Sequence, residues 1–210
     1  MKSLAHSHRV VAVLALVVLS SCASTKMSHM WRDSSYTSGP LNKLLVVAVR
    51  TDQARRKIWE DAFVAALARQ GVNATPSYRL IAETLPDTGR VNRIAREGKF
   101  DGVVLVGRVS RKTTNGVTAS LDVGPTNPSS HAWNGWEYGF SDHDYYPGYP
   151  IEDETVKDEI KVWATGGGGR MIWIGVGELN DSDREEDVSD QIISLIVPQL
   201  LTEGVIAAGV

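Results

Sequence analysis

The chain has 210 residues, of which 42% are hydrophobic, with 22 Lys and Arg against 25 Asp and Glu and a single cysteine. A net charge of −3 argues against nucleic acid as a partner, and one sulfur excludes an internal disulfide. Beyond Val10 to Leu19, no apolar run approaches the roughly 18 to 20 residues that a helix needs to cross a bilayer.

The amino terminus sets Lys2 and Arg9 before the apolar block Val10 to Leu19, the pattern of a secretion signal and too short for a spanning helix. The block ends in Leu19, Ser20, Ser21 and Cys22. This resembles the bacterial lipobox, a branched apolar residue and two small residues before the cysteine that is acylated and becomes the mature first residue. The resemblance implies removal of residues 1–21, a diacylglycerol and an N-acyl chain on Cys22, and no other cofactor. Each buried lipid methylene contributes about 0.8 kcal/mol, so two or more chains give lasting attachment to a membrane. Loss of the signal removes two basic residues and no acidic ones, so the mature balance is 20 − 25 = −5. Ala23 and Ser24 follow the cysteine, without the aspartate of enteric inner-membrane lipoproteins. The expected location is therefore the outer membrane, on its periplasmic face. Residues 22–42 are rich in Ser and Thr and read as a lipidated N-terminus and flexible tether, with Trp31 as the first residue able to dock.

One α/β domain is expected over residues 43–210. Lys43 to Arg50 is a β-branched apolar run, the pattern of a strand covered on both faces. Thr51 and Asp52 offer an N-cap to a helix whose inward face carries Ile58, Ala62, Phe63, Ala66 and Leu67, with Arg55, Arg56, Glu60 and Arg69 pointing elsewhere and Gly71 as the stop. A short strand follows over Val72 to Ser77. A second helix spans about Thr88 to Glu97, with Val91, Ile94 and Ala95 inward, and Asp101 to Ser110 is the central strand. Strand, helix, strand, helix, strand favours parallel neighbours and right-handed crossovers. Three later strands are predicted at Val117 to Val123, Glu154 to Ala164 and Arg170 to Glu178, the last two joined by a turn over Thr165 to Gly169. Ser182 and Glu185 have the capping-box spacing for a final helix with Val188, Ile192, Leu195 and Ile196 inward, which Pro198 should kink or shorten. The whole predicts a mixed sheet of about five to six strands packed by three helices.

Residues 124–150 interrupt this pattern. Seven of their 27 residues are aromatic (Trp133, Trp136, Tyr138, Phe140, Tyr145, Tyr146 and Tyr149), set among four glycines and four prolines. A loop this long in a compact domain is usually functional, and rings with polar edges make an adaptable contact surface. The competing arrangement folds the rings over an exposed sheet face.

The lipobox, the segment holding Trp31, Arg32 and Asp33, the helix end RQGV (Arg69 to Val72), FDGVVLVGRV, the aromatic insertion and RMIWIGVGE together resemble a family of uncharacterised bacterial envelope lipoproteins that share a domain of unknown function. The resemblance implies an outer-membrane lipoprotein with an α/β domain and no catalytic residues to carry over. A looser likeness in fold is to the α/β domains of the Tol translocation protein and the curli secretion lipoprotein.

Chemistry-bearing clusters are few. TGGGGR (Thr165 to Arg170) lacks the Lys and the Ser or Thr of a phosphate loop and precedes a strand, so it reads as a turn. His131, Asp142, His143 and Asp144 are weak candidate metal ligands within one loop, at spacings that match no compact motif. Asp183, Glu185, Glu186 and Asp187 suit the first turn of a helix. Glu152, Asp153, Glu154, Asp158 and Glu159 read mostly as the solvent face of a strand. No set of nucleophile, base and orienter can be assembled. The sequence therefore points to a non-catalytic envelope lipoprotein that binds or scaffolds an envelope protein or polymer through its 124–150 loop. The alternative is a metal-dependent or hydrolytic periplasmic enzyme using the same loop.

Overall fold

A computed structural model describes residues 25–82, 87–110, 155–166, 169–180 and 184–209. Cys22, the strand expected at Val117 to Val123, the aromatic insertion with its weak metal candidates, and Ser182 lie outside the described residues. In chain order the elements are β1 (Lys26–Arg32), β2 (Lys43–Val49), α1 (Gln53–Arg69), β3 (Asn73–Pro76), a single 3₁₀ turn (Ser77–Arg79), α2 (Thr88–Glu97), β4 (Gly102–Ser110), β5 (Thr155–Ala164), β6 (Arg170–Asn180) and α3 (Glu185–Thr202). The strands form one mixed sheet in the order β1-β6-β5-β4-β2-β3. β2 pairs in parallel with both β3 and β4, whereas β5 and β6 continue the sheet antiparallel and β1 closes its far edge. This is the expected α/β class, with six strands and three helices.

Alternation along the strands assigns the two faces. Leu44, Val46, Ala48, Val104, Val106, Ile160 and Val162 pack under α1 and α3, against Trp59, Phe63, Leu67, Ile192 and Ile196. Leu45, Val47, Val103, Leu105 and Trp163 face the other way, toward Val91 and Ala95 of α2. Asp52 caps α1 and Asp87 caps α2, each accepting from the backbone N–H three residues on. In FDG, Phe100 is buried and the Asp101 carboxylate accepts from the N–H groups of Asn42 (2.9 Å) and Lys43 (2.7 Å). Both lie where β2 begins, so Asp101 ties the start of β4 to the start of β2.

Four expectations need correction. The expected tether is a strand over Lys26–Arg32, because β6 would otherwise present an unpaired edge and β1 satisfies it. Beyond β1, Asp33 is buried, its N–H bonds the Ile172 carbonyl at 3.0 Å and its carboxylate meets Arg170 and Ser35, while Trp31 packs beside the α2 cluster. The N-cap of α3 is Arg184, whose guanidinium has no acceptor to offer the first-turn N–H groups, so no side-chain capping bond forms, and Glu185 is engaged elsewhere, as described below. Leu195 is half-buried, not inward. Pro198 does not end α3, which continues to Thr202; both Pro198 and Ser194, whose carbonyl loses its bond, are exposed to water.

Two glycines of β6 lie where a Cβ would not fit. A Cβ at Gly177 would lie 2.8 Å from Ile192 Cγ2, and one at Gly175 would collide with the Trp173 ring. Gly177→Ala should therefore cost about 1 to 3 kcal/mol, read as a lower urea midpoint at unchanged slope. An unchanged midpoint would mean that α3 can lift off the sheet freely.

Candidate functional site

The carboxyl ends of the parallel strands β2 and β4 are where α/β sheets usually place their sites. Here that edge also holds the starts of α1, β5 and α3, and the chain leaves for the insertion from Ser110 and returns at Thr155. Arg50 follows β2, Arg108 lies near the end of β4, Asp158 near the start of β5, and Glu185 opens α3. These four side chains converge.

Asp158, wholly buried, meets Arg50 Nη2 at 2.6 Å through one oxygen and Arg108 Nη2 at 3.2 Å through the other. Glu185 receives Trp59 Nε1–H at 2.6 Å and Arg108 Nη2 at 3.0 Å, with Arg50 Nε at 3.5 Å and Arg55 Nε at 3.8 Å. The Arg50 guanidinium lies 4.9 Å from the centre of the Trp59 ring, a cation–π contact. Among the described residues three guanidiniums thus share two carboxylates. Burial raises the Glu185 pKa, but the Trp59 hydrogen bond and the charges of Arg108, Arg50 and Arg55 outweigh it and hold the carboxyl below the usual glutamate range. Burial also pulls Arg50 below its ordinary value, opposed chiefly by Asp158.

A second network lies between α1 and β3. Arg56 and Glu60, expected to point away from the core, are both fully buried. Glu60 Oε1 accepts from Arg56 Nε (2.9 Å), Ser77 Oγ (2.7 Å) and the Ala48 N–H (3.1 Å), while Oε2 accepts from the Tyr78 N–H (2.8 Å). The physical reason lies in the sheet. The β2–β3 ladder ends at Val46 opposite Pro76, so Ala48 has no strand partner on that side, and the carboxylate of Glu60 takes its place.

A third, more exposed chain runs along the same edge of the sheet. Glu178 at the end of β6 pairs with Lys157 at 2.6 Å and Lys26 at 3.3 Å. Burial raises its pKa, but the bonds from Lys157 and Lys26 bring it below the usual range. Asp158 and Glu159, expected on a solvent face, are buried, and Glu159 pairs with Lys161 at 2.9 Å. Alternation correctly puts them on opposite faces; it could not show that both faces are covered. Glu185 does stand in the first turn of α3, but its bonds are to side chains of α1 and β4, while Glu186 and Asp187 remain exposed as a first-turn pair should be.

No protein-family model matches the chain, and no curated protein sequence matches it. Among solved structures, it is similar to the PelC dodecamer from Paraburkholderia phytofirmans, at 11% identity over 82% of this chain and 95% of that one, with a TM-score of 0.45. A point-substituted form of that dodecamer gives 9% identity, coverage of 84% and 96%, and the same TM-score of 0.45. Lipoprotein GNA1162 from Neisseria meningitidis is similar at 11% identity over 76% of this chain and 96% of that one, with a TM-score of 0.40. At these identities the likeness is one of element arrangement and says nothing of activity.

Proposed function

We propose that the protein is a non-catalytic lipoprotein of the bacterial envelope, anchored through acyl chains on Cys22 to the periplasmic face of the outer membrane, whose 124–150 insertion is the contact surface for another envelope protein or polymer. The observation that carries this reading is the state of the charged edge from which the chain leaves for the insertion. Asp158 and Glu185 are held by arginines and a tryptophan, with Glu185 kept ionised at neutral pH. Such carboxylates brace the strands that carry the insertion and are poorly suited to passing protons in an acid–base reaction.

The second role open to the insertion is a cover folded over an exposed sheet face. Deleting residues 124–150 with a short glycine bridge separates the roles. As a contact surface, the deleted segment should leave stability nearly unchanged while crosslinking to envelope partners in intact cells is lost. Unfolding of the variant would assign it the covering role. Anchoring is tested separately: a fatty-acid probe should label the wild type and not Cys22→Ala, and the labelled protein should sediment with outer membranes. An unlabelled but processed wild type would falsify the lipoprotein reading.

A further inference from the structure

The length of chain between Cys22 and β1 bears on how the domain sits. Only Ala23, Ser24 and Thr25 separate Cys22 from β1. Thr25 is already fixed, its hydroxyl donating to Gln191 Oε1 of α3 at 2.8 Å, and Lys26 is paired with Glu178 across the β1–β6 ladder. Three residue steps, even fully extended, span at most about 11 Å. The headgroup layer of one leaflet is about 5 to 7 Å thick. An acyl-bearing cysteine therefore cannot hold Thr25 more than a few ångströms above the headgroups.

Building on the lipoprotein reading, we propose that the domain rests on the phospholipid surface, with the sheet edge that holds Thr25, Lys157, Glu178 and the first turn of α3 turned toward the bilayer. The chain enters β1 along the strand axis from that edge, and three residues leave no length to turn and run back beside the strand. The membrane therefore lies off the strand ends, across the strand direction. Charge does not set this orientation, because the edge's lysines and arginines are matched by Asp158, Glu178, Glu185 and the acidic first turn of α3. The short leash sets it. Since Ser110 and Thr155 lie on the same edge, the chain leaves for the insertion from the membrane-facing end and returns there.

The test uses the full-length acylated protein in phosphatidylcholine vesicles that carry a headgroup-linked quencher. The Cys22 thiol is occupied by lipid, so a cysteine placed singly at Lys26, Asp187, Arg32 or Arg69 takes one fluorophore. Strong quenching is expected at Lys26 and Asp187. It should be weak at Arg69, at the far end of a 17-residue helix and so about 25 Å away, and at Arg32, about 20 Å along β1. Inserting about twelve Gly and Ser residues after Ser24 should release the domain by about 20 Å and abolish the difference. Equal quenching at Lys26 and Arg69, quenching at Arg32 as strong as at Lys26, or indifference to the linker overturns the proposal. Mass spectrometry of the same sample shows whether Cys22 is acylated. Acylated protein with no positional difference rejects the orientation alone, whereas protein without acyl chains rejects the lipoprotein reading and the orientation with it.

Discussion

Glu60→Ala is expected to lower stability by about 3 to 5 kcal/mol, the range for removing one partner of a buried ion pair. The substitution leaves the Arg56 guanidinium in the core without its i, i+4 carboxylate, and strips the Ala48 and Tyr78 N–H groups of their acceptor. Each orphaned backbone donor adds roughly 1 to 3 kcal/mol of desolvation cost if water cannot reach it. A paired change, Arg56→Met with Glu60→Leu, should recover part of the loss, since an apolar pair of similar volume often replaces a buried ion pair at little cost. It should not recover all of it, because Ala48 and Tyr78 remain unpaired. Urea titration of the three proteins gives the comparison. A loss below about 1 kcal/mol for Glu60→Ala would mean that water replaces the carboxylate at the sheet edge.

The positions of the described strands and helices from Lys43 onward were legible because short apolar runs, Asp N-caps and glycine stops agree with one another along the chain. Phe63, Val46 and Val104 are fully buried as the periodicity indicates. What pattern reading misses has a common cause: it sorts residues by polarity, and this fold buries polar ones. Arg56 and Glu60 break the apolar face of α1 on a hydropathy scale, yet stand four apart and so form a pair on one helix face. That spacing was the available signal. For the edge cluster no local signal existed, since Arg50, Arg108, Asp158 and Glu185 come from four elements and meet only through the sheet order. β1 was missed for a related reason. Its residues, KMSHMWR, carry no β-branched side chain, and the strand forms because β6 offers it a partner. RMIWIGVGE did contain a usable clue, for Gly175 and Gly177 fall on one face of a strand and mark close approach, by Trp173 and Met27 at the first and by Ile192 of α3 at the second.

At the charged edge the imbalance of three guanidiniums to two carboxylates makes the outcome of substitution unequal. Asp158→Ala removes the carboxylate that two arginines share and leaves Arg50, whose side chain is only 6% exposed, with Glu185 at 3.5 Å as its remaining anion among the described residues. The expected loss is about 3 to 5 kcal/mol. Arg108→Met removes a cation from the crowded side, leaves Arg50 on Asp158 and Arg50 and Arg55 near Glu185, and should cost clearly less. Acid should weaken the same edge through protonation of Glu185 and of Glu178. Glu185 and Glu178 have folded-state pKa values below their unfolded ones, so their contribution to stability is full above the ordinary glutamate value of about 4.3 and is lost as pH falls through the depressed values. A plot of urea midpoint against pH should therefore drop on its acid limb, and Glu185→Gln should flatten that limb while lowering the plateau at neutral pH. Equal losses for Asp158→Ala and Arg108→Met would show that an anion beyond these two carboxylates balances the third arginine. An acid limb unchanged by Glu185→Gln would show that Glu185 does not couple protonation to folding.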